Sequence, residues 1–317
     1  MTADPLTFGA SIGALRTRDE VLAAARSAEA AGFDRLNTAD HLGNTAPFAA
    51  LAAAASVTER IRLRTYVLNV YFWNAALLAR EVATIDALSA GRFELGVGAG
   101  HMKREHDDAG LPFPPLADRV AELERVLIDV QKRLETPGYT PAPVQSRVPV
   151  SIGAWSPGTM SIAARHAEII SLSGMVQIKG RPPGTFTLSD VPEVDRRLDR
   201  LRTTIEQERP SDLPAPVFDC LLQRVIVDAD PERSARELVA EDDDGFSVEQ
   251  ILESPFVLLA ATPQDAAEEL LRRQKRWGIS SWCTHTASTE ALAQVIEVLR
   301  QTPATARLVL APPKNFP

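Results

Sequence analysis

The 317-residue sequence predicts an α/β fold, a (β/α)8 TIM barrel with insertion segments. Three observations lead there. Short apolar, β-branched runs alternate with longer segments of helical period, the pattern that repeated strand–helix units leave in a sequence. Eight such runs occur, at Thr7 to Ile12, Phe33 to Thr38, Ile61 to Asn69, Arg92 to Gly98, Val148 to Gly153, Ile169 to Ser173, Phe218 to Val227 and Ile279 to Thr284. At 45% hydrophobic and 24% charged residues the chain can bury one large core, so a single domain over 1–317 is expected.

Each element has local support. A helix stops on Gly91, and the strand candidate after it opens into Gly96-Val97-Gly98-Ala99-Gly100, where backbone can approach a flat or phosphorylated ligand. A helix is expected over Asp118 to Leu134, since Val120, Leu123, Val126, Leu127, Val130 and Leu134 share one stripe among charged residues. Asp118 is its expected N-cap and Pro137-Gly138 closes it. Ser156 caps a helix starting near Pro157, and Thr262-Pro263 opens another that ends at Trp277-Gly278. Two segments exceed a bare barrel and read as insertions: 174–192, rich in Gly and Pro, and 240–254, with the acidic run Glu241 to Asp244. The first is placed either as a lid or as an ordinary surface loop, and the acidic run reads as solvated.

Composition excludes several classes. A net charge of -8 and a pI near 5.3, with no basic face, argue against nucleic acid as a partner. The N-terminus lacks the pattern of a signal peptide, and no stretch reaches the roughly 20 apolar residues of a spanning helix. A soluble, cytoplasmic protein without a membrane partner is expected. Cys220 and Cys283 have no metal or redox spacing and read as small core residues.

In such a barrel the C-terminal tails of the strands meet at one mouth. Four tails are polar or glycine-rich: Asn37 to His41, Asn69-Val70-Tyr71, Gly98 to His101, and Gly153 to Gly158. An imidazole is the side chain suited to exchanging a proton near neutral pH, so His41, with Asp40 beside it to orient the ring, suits proton transfer; a histidine capping the next helix is the alternative. His101 and His106 lack the one-turn spacing of a ligand pair and have no third partner. No metal is expected, and His106, Asp107 and Asp108 read as solvated charge. Gly153-Ala154-Trp155-Ser156 would offer N–H groups at a helix start, suited to phosphate or to a simple capped turn. Tyr71, Phe72 and Trp73 suit a substrate, a dimer contact or core packing.

The chain resembles the luciferase-like monooxygenase superfamily, in its coenzyme F420-dependent oxidoreductase branch, from Phe8 to about Leu299. The segments that carry the likeness are Ala30 to Arg35 leading to Asp40-His41, Ala76 to Arg92 with Gly96-Val97-Gly98-Ala99-Gly100, Val150 to Ala154, and Ala163 to Ile170. The resemblance implies a bacterial luciferase-like barrel with a tricyclic ring across its mouth and a phosphate near Trp155 to Gly158. It implies a non-prolyl cis peptide at Tyr66-Val67, bulging from strand three against the ring. Asp40 and His41 match the catalytic pair near the reactive carbon, and Asn69 a polar residue beside the ring. Tyr66, Val67, Gly98, Ala99, Gly100, His101, Gly153, Ala154, Trp155 and Ser156 fall at cofactor-contacting positions. His101 stands where some relatives, including sugar-phosphate dehydrogenases, have a glutamate that protonates the ring, a departure that counts against both that role and that substrate.

The first reading is therefore an F420-dependent oxidoreductase that transfers a hydride to or from a small organic substrate. An FMN-dependent monooxygenase of the same fold is the alternative, and an inactive barrel serving as a binding protein is the third. The resemblance also implies a homodimer, to which the Ala-rich run Ala49 to Ala55 is suited; it is equally suited to packing on its own barrel.

Overall fold

Eight parallel strands pair in chain order and close on themselves: β1 (Thr7–Ser11), β2 (Arg35–Thr38), β3 (Arg62–Thr65), β4 (Phe93–Gly98), β5 (Val150–Gly153), β6 (Ile169–Leu172), β7 (Val217–Leu222) and β8 (Ile279–Thr284). Closure is made by β8 against β1, where Thr7 lies opposite Ser281, and β3 reaches β4 through Leu63 and Phe93. The computed structural model describes residues 5–181, 183–241 and 246–301. The predicted (β/α)8 barrel is what forms, with helices outside it.

Two strand candidates divide. The Ile61 to Asn69 run breaks after Thr65 at a cis Tyr66-Val67 peptide and resumes as Leu68–Asn69 beside Val97 and Gly98. The Phe218 to Val227 run ends its barrel strand at Leu222. Its remainder, Arg224–Val227, leaves the cylinder and pairs with Val257–Ala260. There it covers a second apolar cluster of Ala235, Phe246, Ile251 and Val257. Apolar alternation alone does not distinguish a long barrel strand from one that changes sheets.

The helices follow their sequence signals with one correction. The helix expected from Asp118 runs Leu116–Leu134, with Pro115 at the N-cap and Asp118 inside the first turn. There its carboxylate faces the positive end of the helix dipole. Leu123, Val126, Leu127 and Val130 are buried, as their stripe predicts. Ser156 forms a capping box with Thr159, and Thr262 and Gly278 cap Pro263–Trp277. The helix Pro47–Ala55 buries Phe48, Ala50, Leu51, Ala54 and Ala55 in the main core, so most of the alanine run packs on its own barrel. Residues 174–192 contain an antiparallel hairpin, Met175–Gln177 with Phe186–Leu188, before the helix Val191–Glu208. The acidic run falls largely on residues 242–245, outside the described residues; Val248–Glu253 beyond it is a short helix capped by Ser247.

The barrel interior is polar. TIM barrels usually fill this space with branched apolar side chains. Here Leu36 and Leu63 are fully buried apolar residues, while their neighbours Arg35, Asn37, Arg62 and Arg64 build ionic and polar layers. Glu94 accepts from Arg35 Nε at 2.9 Å and Arg62 Nε at 2.5 Å. Nearer the mouth, buried Asp219 accepts from Tyr66 Oη at 2.7 Å, Ser281 Oγ at 2.5 Å, and Arg64 Nη2 at 3.3 and 3.4 Å. Burial opposes the charge on both carboxylates, but the arginines hold their pKa values below the ordinary range. Burial, then Asp219, pushes the Cys283 thiol up to about 12, so it stays protonated and unreactive.

Candidate active site

The tails of β2, β3 and β4 converge on one mouth. His41 and His101 meet edge to face with ring centroids 5.6 Å apart. A Cβ placed on Gly100, which has φ +71°, would stand 2.5 Å from Asn69 Oδ1. His41, Asn69, Gly100 and His101 therefore share one site despite their separation in the chain.

The carboxylate that orients His41 is Glu105 and not Asp40. Glu105 Oε1 lies 2.8 Å from His41 Nδ1, and a carboxylate there requires Nδ1 to donate. His41 Nε2 has no hydrogen-bond partner among the described residues. Asp40 instead accepts from the Trp73 indole at 2.7 Å and the Asn69 amide at 3.3 Å. Burial raises its pKa, with those two bonds acting in the opposite direction. Asp40 thus ties the aromatic run after β3 to the β2 tail.

His106, expected as solvated charge, is fully buried. Its Nδ1 is 2.7 Å from the Pro112 carbonyl and its Nε2 is 3.0 Å from Asn69 Nδ2. A carbonyl only accepts, so Nδ1 carries the proton and Nε2 accepts from Asn69. Asn69 Oδ1 is engaged by the Tyr71 amide at 3.2 Å. The Asn69 side chain is thereby fixed in orientation with one N–H left over. Tyr71, Phe72 and Phe113 surround the His106 ring, which is why an imidazole in a charged sequence is buried. The Tyr71-Phe72-Trp73 run thus packs around the site instead of standing free.

The glycines of β4 make room for the protein's own chain. A Cβ at Gly96 would fall 1.7 Å from the Thr65 carbonyl oxygen, and one at Gly98 would fall 2.8 Å from Val67 Cγ2. They seat the bulge between β3 and its continuation. Within that bulge the Tyr66 carbonyl and the Val67 amide have no hydrogen-bond partner among the described residues.

The loop at Gly153 to Ser156 is more occupied than its sequence suggests. Ala154 N donates to Ser171 O, and Trp155 N and Ser156 N both reach Thr159 Oγ1. Few of the N–H groups expected to be free remain so. Trp155 is buried edge-on against Phe256 with Arg197 over its ring.

Two further tails complete the mouth. The hairpin of 174–192 sets Phe186 against His101 at 5.4 Å between centroids. Part of the His101 ring is open to solvent, yet crowding, then the charges of His41 and Arg119, lowers its pKa to about 4. His285, directly after β8, bonds Gln223 Oε1 through Nε2 at 3.2 Å, and lies close enough to His41 for their charges to oppose. Glu105, Gln223 and His285 were not among the residues singled out from sequence. His285 carries the same positional signal as His41, an imidazole directly after a barrel strand; Glu105 sits in a charged run that gives no such signal. Among the described residues no group of His, Cys, Asp or Glu could hold a metal ion, and no helix is long and apolar enough to cross a membrane.

The model of the luciferase-like monooxygenase family matches residues 2–180. By sequence the chain is similar to the F420-dependent glucose-6-phosphate dehydrogenase of Nakamurella multipartita, 30% identical over 239 residues, which cover 66% of this chain and 68% of that protein. It is 31% identical over 202 residues to the enzyme of the same name from Intrasporangium calvum, covering 56% of this chain and only 59% of that relative's length. In structure it is similar to an F420-dependent secondary alcohol dehydrogenase in complex with an F420-acetone adduct. The TM-score is 0.74 at 16% identity, covering 95% of this chain and 99% of the other, a likeness of fold.

Proposed function

Because the chain belongs to the luciferase-like monooxygenase family, we propose that it is a coenzyme F420-dependent oxidoreductase acting on a small organic molecule. The observation that carries this is the mouth itself. An imidazole oriented by a carboxylate stands beside an immobilised amide and an unpaired stretch of backbone. A planar heterocycle with donors and acceptors along its edge fits such a surface: the Asn69 N–H, the Tyr66 carbonyl and the Val67 amide would hold it. The dehydrogenases of Nakamurella and Intrasporangium, named for F420, support that cofactor.

When bound, the deazaflavin supplies a two-electron hydride acceptor or donor. The protein's own part is proton handling. With Nδ1 committed to Glu105, His41 Nε2 is the atom that takes the proton of a substrate hydroxyl as its carbon is oxidised, or returns one to a carbonyl oxygen in reverse. Glu105 holds the ring in that orientation. His101, kept neutral, adds no fixed charge beside it. The substrate class is open to a neutral alcohol or carbonyl compound. A cytoplasmic homodimer is part of the same reading, open to sedimentation and cell fractionation.

Titration of the purified protein with F420 and, separately, with FMN tests this. Saturable quenching of F420 fluorescence at micromolar concentration is expected, with weaker FMN binding. Tight FMN binding with oxygen-consuming turnover would replace the reading by a monooxygenase, and binding of neither would leave a barrel without redox function.

A further inference from the structure

Ser173, Gln223 and His285 follow β6, β7 and β8 and form a chain of hydrogen bonds along the rim. Gln223 Nε2 donates to the Ser173 carbonyl at 2.9 Å, which fixes the amide so that Oε1 faces His285 Nε2 at 3.2 Å. An amide oxygen only accepts, so Nε2 of His285 carries its proton. Gln223 is itself anchored by its backbone N–H to Phe256 O at 2.7 Å. Burial, then Arg224 and His41, lowers the His285 pKa, so the ring is neutral and Nδ1 is a bare lone pair. The residue sits at the N-cap of the turn Thr286–Ser288 yet makes no side-chain cap bond, and Nδ1 has no partner among the described residues. Thr286 Oγ1 pins the same turn to the Ser11 carbonyl at 2.7 Å, so the ring stands on a tethered segment.

A neutral imidazole with its protonated nitrogen tied back and its acceptor nitrogen unused addresses a hydrogen-bond donor. We propose that His285 Nδ1 binds a second hydroxyl of the substrate, making the protein selective for neutral diols or polyols over simple alcohols. The inference rests on the oxidoreductase reading, in which His41 serves the reacting hydroxyl. His285 undergoes no covalent change and acts as a specificity-determining acceptor. An anionic substrate group gains nothing there, since a lone pair repels it.

The experiment has two arms. In the first, protein labelled with 15N at histidine is titrated without cofactor, using trans-1,2-cyclohexanediol and cyclohexanol as probes. The His285 signals are expected to show protonated Nε2 and unprotonated Nδ1, with Nδ1 shifting for the diol more than for the mono-alcohol. A protonated Nδ1, or equal response to both probes, overturns the proposal. In the second, kcat/KM with F420 is compared for the two probes. A preference for the diol of about tenfold, the equivalent of one hydrogen bond, is expected. It should vanish in His285→Phe and persist in His285→Asn, whose amide oxygen can replace Nδ1. Persistence in His285→Phe overturns the proposal, provided F420 fluorescence quenching shows that the variant still binds cofactor. Failure of the wild-type protein to bind F420 refutes the oxidoreductase reading alone, because the first arm stands without cofactor.

Discussion

Replacing Asp219 by Asn tests the polar interior of the barrel. Asp219 and Arg64 are both fully buried, and the carboxylate also receives Tyr66 Oη, Ser281 Oγ, Ser171 Oγ and the Cys283 thiol. Arg64 already has one unpartnered nitrogen, Nη1, and Asn37 Nδ2 nearby is also unpartnered. The substitution removes the compensating charge and points an amide N–H₂ at groups that are themselves donors. Breaking a buried pair by removing one partner costs about 3–5 kcal/mol. At about 2 °C per kcal/mol for a chain of this size, the melting temperature at pH 7 should fall by roughly 6–10 °C. Because the folded-state pKa of Asp219 is depressed, its contribution is present above the unfolded value near 3.9 and is lost as pH falls through the folded one. The gap between Asp219→Asn and the parent should therefore narrow in acid. Thermal melts followed by circular dichroism at pH 7 and pH 3.5 provide the measurement. A loss below about 1 kcal/mol at pH 7, or a gap that widens in acid, would refute the account of the interior as an ionic network.

Other outcomes follow from the mouth. Glu105→Ala should lower kcat by about 10²-fold with F420 affinity within a few-fold of the parent, since general acid–base assistance is worth roughly 10²–10⁴; loss of F420 binding instead would make Glu105 structural. His106→Leu frees the Asn69 amide, and should cost about 1–3 kcal/mol in urea denaturation and weaken cofactor binding measured by fluorescence. Gly96→Ala meets the Thr65 carbonyl at 1.7 Å and should abolish cofactor binding or yield insoluble protein, whereas Gly153→Ala, whose Cβ would meet only Val67 at 3.7 and 4.0 Å, should express normally. His101 has a depressed pKa, so the unfolded chain takes up a proton before the folded one as pH drops from about 6.5 to about 4. Stability should fall across that window, and His101→Gln should flatten the slope; an unchanged slope would mean that the ring protonates as freely folded as unfolded.

The sequence by itself determined the barrel: eight β-branched runs at helix-length spacing, with Ser156, Thr262 and Gly278 marking helix ends, leave few other ways to bury that much apolar surface. It also placed His41, Asn69 and His101 at one mouth, because strand tails in such a cylinder share an end. Only the tertiary structure decided which groups touch. Glu105 and not the adjacent Asp40 holds His41, since the two side chains of neighbouring residues diverge and the nearer carboxylate turns to Trp73. His106 sits in a run of charges and is nevertheless buried, because Tyr71 and Phe72 from the tail of β3 and Phe113 from the loop that follows His106 close over the ring. Strand periodicity fixes that Arg35, Asn37 and Arg64 alternate with leucines; closure of the sheet decides that the polar face is the inside, where Glu94 and Asp219 arrive from other strands to meet it. Local interactions are written along the chain within a turn or two, whereas partners brought together across the cylinder exist only once it has closed.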